Sequence, residues 1–189
     1  QWREAGLKQG IEARADLRNN VEEALTELGQ GLVEANPDLV ERLKNDTLSM
    51  QALFEELLRT VYRLIFLAVA EDRDLLHARR ATLAARQLYA DGYAFTFWRE
   101  RSRRRVARDG HHDAWEAIKI TLGSLEQGED MLGLPALGGL FSKASTPTLS
   151  GAKIGNRRFL AALFCLGYIR KDGVTHRINW RDLKTEELG

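Results

Sequence analysis

Apolar residues recur at three- and four-residue steps through most of the 189-residue chain, a spacing that places them on one face of an α-helix. The first such segment, about Trp2 to Leu43, carries Leu7, Ile11, Leu17, Val21, Leu25, Leu28 and Leu32, and Gly29 and Gly31 are expected to break or fray it. Asn36-Pro37 then signals a fresh start, with the asparagine as N-cap and the proline at the first position of a short helix over Asp38 to Lys44. The strongest signal spans Ser49 to Leu76. There Leu53, Phe54, Leu57, Leu58, Val61, Tyr62, Ile65 and Val69 form one stripe, and Glu55, Glu56, Arg59 and Arg63 take the remaining arc. Leu64, Phe66 and Leu67 widen the apolar arc, so this helix is expected at the centre of the core, with Arg63 paired to an acidic side chain from another segment.

Further helices are expected near Leu76 to Asp91, Phe95 to Ala107 and Asp113 to Glu126, with Gly110 as the break between the last two. Glycines, two prolines and the run Ser142 to Ser150 predict loop with short turns from Gly128 to Gly155, the stretch expected to be least ordered. Asn156 is placed to cap a last helix over Arg157 to Tyr168, and the sequence around Asp172-Gly173 suits a small β-hairpin over residues 169–178. The expected fold is mainly α, a multi-helix globular domain around the helix near 49–76, with one β-hairpin. Residues 1–48 read as an N-terminal helical segment and 49–189 as the domain proper.

Composition narrows the class. With 44% hydrophobic residues the chain can bury a sizeable core. Its longest strongly apolar stretch, Val61 to Ala70, is interrupted by Arg63 and falls well short of the ~20 residues a membrane helix needs. A single cysteine, Cys165, lies in the apolar run Phe159 to Leu166 and cannot form an intramolecular disulfide, which points to a reducing, cytoplasmic setting. The chain opens at Gln1 with neither an initiator Met nor a signal-peptide pattern and reads as an internal piece of a longer protein. The formal charge of +1 conceals segregation: residues 1–76 hold 9 Lys and Arg against 15 Asp and Glu, whereas residues 77–112 hold 9 against 3. A basic region of this kind concentrates polyanions nearby.

Most catalytic chemistries find no footing. His77, His111, His112 and His176 fall in no metal-ligand spacing, and surface or capping roles account for them. Cys165 has no identifiable base beside it. The glycine-rich pieces Gly29 to Gly31, Gly133 to Gly139 and Gly151 to Gly155 lack the Lys-Ser/Thr pair of a nucleotide loop and are expected to be turn glycines. One feature stands out: Trp98 to Arg108 reads WRERSRRRVAR, with Arg99, Arg101, Arg103, Arg104, Arg105 and Arg108 opposed only by Glu100. On a helix, Arg101, Arg104, Arg105 and Arg108 would share one side as a row of guanidinium groups spaced for phosphates. Two readings stand: a DNA-backbone contact, or a face neutralised by the acidic first 76 residues.

Four stretches carry a resemblance: LFEELLRTVYRLIFLAVAEDRDLL (Leu53 to Leu76), HDAWEAIKITLGSLEQG (His112 to Gly128), LGLPALGGLF (Leu132 to Phe141) and INWRDLKTEELG (Ile178 to Gly189). In this order they resemble the region just upstream of the catalytic domain in large adenine-specific DNA methyltransferases, the type IIG restriction-modification fusions and the methylases of BREX and DISARM phage-defence systems. In such proteins the phrase resembling Asp182 to Gly189 leads directly into the methyltransferase domain. The family's Gly-rich S-adenosylmethionine motif and its Asn-Pro-Pro-Tyr/Phe motif are absent here, since Asn36-Pro37-Asp38-Leu39 lacks the second proline and the aromatic. No catalytic or cofactor residue is carried over, and the chain by itself is expected to be inactive. The resemblance implies a helical domain of a protein that uses S-adenosylmethionine to methylate adenine in double-stranded DNA. The expected partners are the DNA phosphate backbone and the downstream methyltransferase domain. A docking scaffold acting through its acidic first half is the competing expectation.

Overall fold

The computed structural model describes residues 2–171 and 173–179, with side chains from residue 17 onward. Its helices are α1 (Trp2–Ala35), α2 (Pro37–Lys44), α3 (Met50–Asp72), α4 (Leu83–Gly92), α5 (Phe95–Ser102), α6 (Asp113–Gln127), α7 (Pro147–Gly151) and α8 (Asn156–Gly167). A two-stranded antiparallel sheet, β1 (Tyr168–Lys171) and β2 (Val174–Arg177), follows α8 without a break. The molecule is therefore mainly α with one small hairpin, as the periodicity dictates. No described helix is long and apolar enough to cross a membrane.

Helix α1 runs unbroken through Gly29 and Gly31, contrary to the expected break. The reason is packing. A Cβ on Gly31 would lie 2.7 Å from Ile154 and 2.8 Å from Arg158, so the missing side chain lets α1 and α8 approach closely. The two helices run antiparallel, pinned at one end by Asn20, whose amide donates to the carbonyls of Cys165 and Tyr168. At the other end Arg158 is held by Glu27 and Glu34. Between these points Ala24, Leu28 and Leu32 are fully buried.

Helix α3 starts where Ser49 accepts from the Ala52 amide, and it ends at Asp72, short of Leu76. Its buried side also differs from the expected stripe. Leu53, Leu57, Val61, Leu64, Leu67 and Ala68 are buried, whereas Phe54 and Tyr62 are about half exposed, at 51% and 52%. Arg63 is buried as expected, but among the described residues no carboxylate lies within 4.0 Å of it. It donates to the carbonyls of Leu140 and Ser142 and to the hydroxyls of Ser145 and Thr146, at 2.7 to 2.8 Å. Four well-aligned neutral acceptors substitute for a counter-ion, and burial lowers the guanidinium's pKa.

That bonding ties down the stretch expected to be least ordered. Residues 128–155 hold only short 3-10 turns and the five-residue α7 between loops, yet Leu132, Leu134, Phe141, Leu149 and Ile154 within them are buried. Glu56 of α3 adds a second tie by accepting from the amides of Thr148 and Leu149 at the start of α7. Helix α4 begins only at Leu83, capped by Thr82, so the segment after Leu76 is connection rather than helix. Asn156 does not cap α8; Gly155 holds that position, and the Asn156 amide bonds to Asp109 and Asp113 instead. Trp115 of α6 packs against Phe159 of α8, so α8 sits between α1 and α6. The hairpin pairs Tyr168 with Arg177 and Lys171 with Val174, one residue earlier than the expected range.

Candidate nucleic-acid interface

Helix α5 stops at Ser102, so the expected helix to Ala107 and its straight row of guanidinium groups do not form. The Ser102 hydroxyl bonds back to the Arg99 carbonyl at 2.6 Å, competing with the helix ladder. Arg108 then folds back and gives both Nε and Nη2 to the Ser102 carbonyl, at 3.1 and 3.0 Å, closing the helix end with a cation. Arg104 is left extended and Arg105 enters a one-turn 3-10 helix over Arg105–Ala107.

The six arginines therefore divide. Arg99 is fully buried and cannot meet an external partner. It lies 3.7 Å from Asp72 and over the ring of Phe95, and Gly167 makes room for it, since a Cβ there would sit 2.6 Å from its stem. Asp72 in turn holds Arg177 of β2, so this buried carboxylate links α3, α5 and the hairpin. Arg108 is half-buried over Phe164, and burial lowers its pKa.

Arg101, Arg103, Arg104 and Arg105 are exposed. Arg101 stacks on Phe97 and Trp98, with its guanidinium 5.0 and 5.6 Å from the ring centres, and Arg103 lies over Tyr168 at 5.6 Å. Tyr168 is fixed by a 2.9 Å bond to Glu100, and its burial, together with that bond, pushes the phenol up to about 12. Glu100 also comes within 3.8 Å of Arg103. Among the described residues no carboxylate lies within 4.0 Å of Arg101, Arg104 or Arg105. Among the described acidic residues of α1, Glu27 and Glu34 are spent on Arg158 rather than on these arginines.

The spacing of Phe95, Trp98, Arg99 and Ser102 marks the buried face of α5 and already shows Arg99 on it. Arg170 had no such signal. It enters the same surface through the ring of Phe164, which it overlies at 5.5 Å while Arg108 overlies it at 5.3 Å.

Among the described residues no group of three or more His, Cys, Asp or Glu could hold a metal. His77 faces the Gly133 carbonyl at 3.3 Å and His111 faces Asp109 at 3.1 Å. Cys165 is half-buried, and burial together with Glu23 pushes its thiol up to about 12, which leaves it a poor nucleophile. The glycine-rich pieces form no phosphate cradle: Gly31 packs inside a helix, Gly133 and Gly138 are turns with positive φ, and the amides opening α8 are taken by the carbonyls of His111 and Asp109. No protein-family model, curated protein or solved structure matches the chain.

Proposed function

We propose that this chain is a non-catalytic helical domain of a SAM-dependent, adenine-specific DNA methyltransferase of a restriction-modification or phage-defence system, and that it contributes DNA-backbone contacts and positions the catalytic domain. The observation that carries the DNA part is the exposed set Arg101, Arg104 and Arg105, without a carboxylate within 4.0 Å among the described residues, with Arg103 beside them. Guanidinium groups release counterions when they meet phosphate, which makes a cluster of this kind a polyanion site. The methyltransferase part rests on the ordered resemblance of Leu53 to Gly189 to the region before the catalytic domain of such enzymes.

The test is salt-dependent binding of the chain to duplex DNA. Non-specific binding has a Kd of roughly 10⁻⁴ to 10⁻⁶ M at physiological salt, with little sequence preference. Replacing Arg101, Arg104 and Arg105 together by Gln should weaken it equally for all sequences and flatten the log–log salt slope by up to about three, at roughly 0.9 per phosphate. Absence of binding at low salt would remove the DNA role. One observation supports the docking-scaffold reading as a second function: Met50, Phe54 and Tyr62 leave apolar surface exposed along α3, at 67%, 51% and 52%.

A further inference from the structure

We infer that the β1–β2 hairpin is a second arm of the polyanion surface, with Arg170 as its phosphate-contacting residue. The inference rests on the DNA reading above and extends it to an element that the arginine run does not contain.

Its basis is an electrostatic imbalance. Arg108 and Arg170 overlie the same Phe164 ring, at 5.3 and 5.5 Å. Two cations held at one ring repel each other, and among the described residues neither has a carboxylate within 4.0 Å. Arg108 is anchored on the Ser102 carbonyl and cannot turn away, so the uncompensated charge falls on Arg170, which is exposed. Elsewhere on the surface the fold pairs arginines with carboxylates: Arg158 has Glu27 and Glu34, and Arg177 has Asp72.

Register supplies the second argument. Tyr168 pairs with Arg177 and Arg170 with Thr175, so these four side chains share one side of the hairpin. Tyr168 carries Arg103 on its ring, and Arg177 is tied to Asp72 at the end of α3, so that side is fixed against the ends of α3 and α5. The hairpin therefore puts Arg170 and Thr175 on the same side as Tyr168, whose ring carries Arg103. A guanidinium fork beside a hydroxyl is a donor set for phosphate oxygens. The surface extends from the Arg104-Arg105 turn to the hairpin; the exposed apolar side chains of these two elements are Val106, in that turn, and Val174, which the register puts on the opposite side of the hairpin from Arg170. A protein interface would centre on a cluster of apolar side chains, so the patch fits nucleic acid better than an acidic protein.

The experiment measures fluorescence anisotropy of a labelled mixed-sequence duplex against the whole chain between 50 and 200 mM salt. Variants are Arg170→Gln, Arg170→Lys and the double Arg104→Gln, Arg105→Gln, each with its melting temperature recorded. One phosphate contact accounts for about a three-fold loss of affinity over that salt range. Arg170→Gln should remove that share, Arg170→Lys should largely keep it, and the melting temperature should hold because the side chain is exposed. A wild-type slope in Arg170→Gln, with the double variant still impaired, overturns the hairpin arm and leaves the DNA reading standing. No duplex binding by the unaltered chain overturns both. Equal affinity for polyglutamate, with the same dependence on Arg170, reassigns the surface to an acidic protein and also overturns the inference.

Discussion

A guanidinium inside a protein is tolerated when its donors are met or its charge is paired, and Arg63 and Arg99 take these two routes. Arg63 has neutral partners, two carbonyls and two hydroxyls from residues 140–146, and so nails an irregular segment to α3. Arg63→Met should leave those acceptors unmatched and cost about 3 kcal/mol or more, read from urea denaturation, with faster amide exchange concentrated in residues 139–150. A loss under about 1 kcal/mol would mean that water takes over the acceptors at little cost. Arg99 relies on charge, since its Nε and Nη1 and the Oδ2 of Asp72 lack hydrogen-bond partners. That Arg63 is buried was legible from its place in an apolar helix. Its partners were not, because helical spacing says nothing about which residues a distant loop brings back. An acidic partner was the natural expectation, and four dipoles proved sufficient.

Elements were legible wherever one face alone is buried, as for α3, α6 and α8, whose apolar spacing sets both their existence and their approximate span. The orientation of α3 was less legible. Phe54 and Tyr62 satisfy the periodicity, but tertiary packing turns the helix so that Leu64 and Leu67 go inward instead. Glycine was misleading in α1, where composition suggested a break and the structure uses close approach. Gly29 and Gly31 should therefore respond differently to alanine. At Gly29 a Cβ meets only Leu57, at an ordinary 3.7 Å, so Gly29→Ala should stabilise by about 0.5–1 kcal/mol through helix propensity. At Gly31 it collides with Ile154 and Arg158, and Gly31→Ala should cost about 1–3 kcal/mol. Thermal melts of the two variants check both signs. The same helix pair has a pH signature. The bond from Arg158 lowers the pKa of Glu34 below 4.5, so its contribution is complete above that value and disappears as pH falls through the lowered one. Glu34→Gln should lower the melting temperature at pH 7 and make no difference near pH 2. An equal effect at both pH values would show that the charge is irrelevant.

For the whole molecule, the question is whether position 48 divides it into a segment and a domain. The core crosses that position: Ala24, Leu28, Leu32 and Leu39 belong to the same buried cluster as Leu57, Ile154 and Leu163. Each buried leucine is worth about 1.5–3 kcal/mol. Leu28, Leu32 and Leu39, each no more than 2% exposed, therefore supply on the order of 5–9 kcal/mol before the Arg158 ion pairs are added. That is comparable to the whole stability of an ordinary domain, about 5–15 kcal/mol. Removing residues 1–48 also uncovers the α1-facing side of α8 and leaves Arg158 without Glu27 and Glu34. The fragment 49–189 should accordingly lose its cooperative thermal transition and bind a dye that reports exposed apolar surface. Adding residues 17–48 back as a separate chain should restore part of the transition, because the antiparallel α1–α8 contact has bonds at both ends to guide it. If the fragment instead melted cooperatively near the temperature of the full chain, α1 and α2 would be an appendage on a self-sufficient domain. The surface carrying Arg101 to Arg105 and Arg170 could then be studied without them.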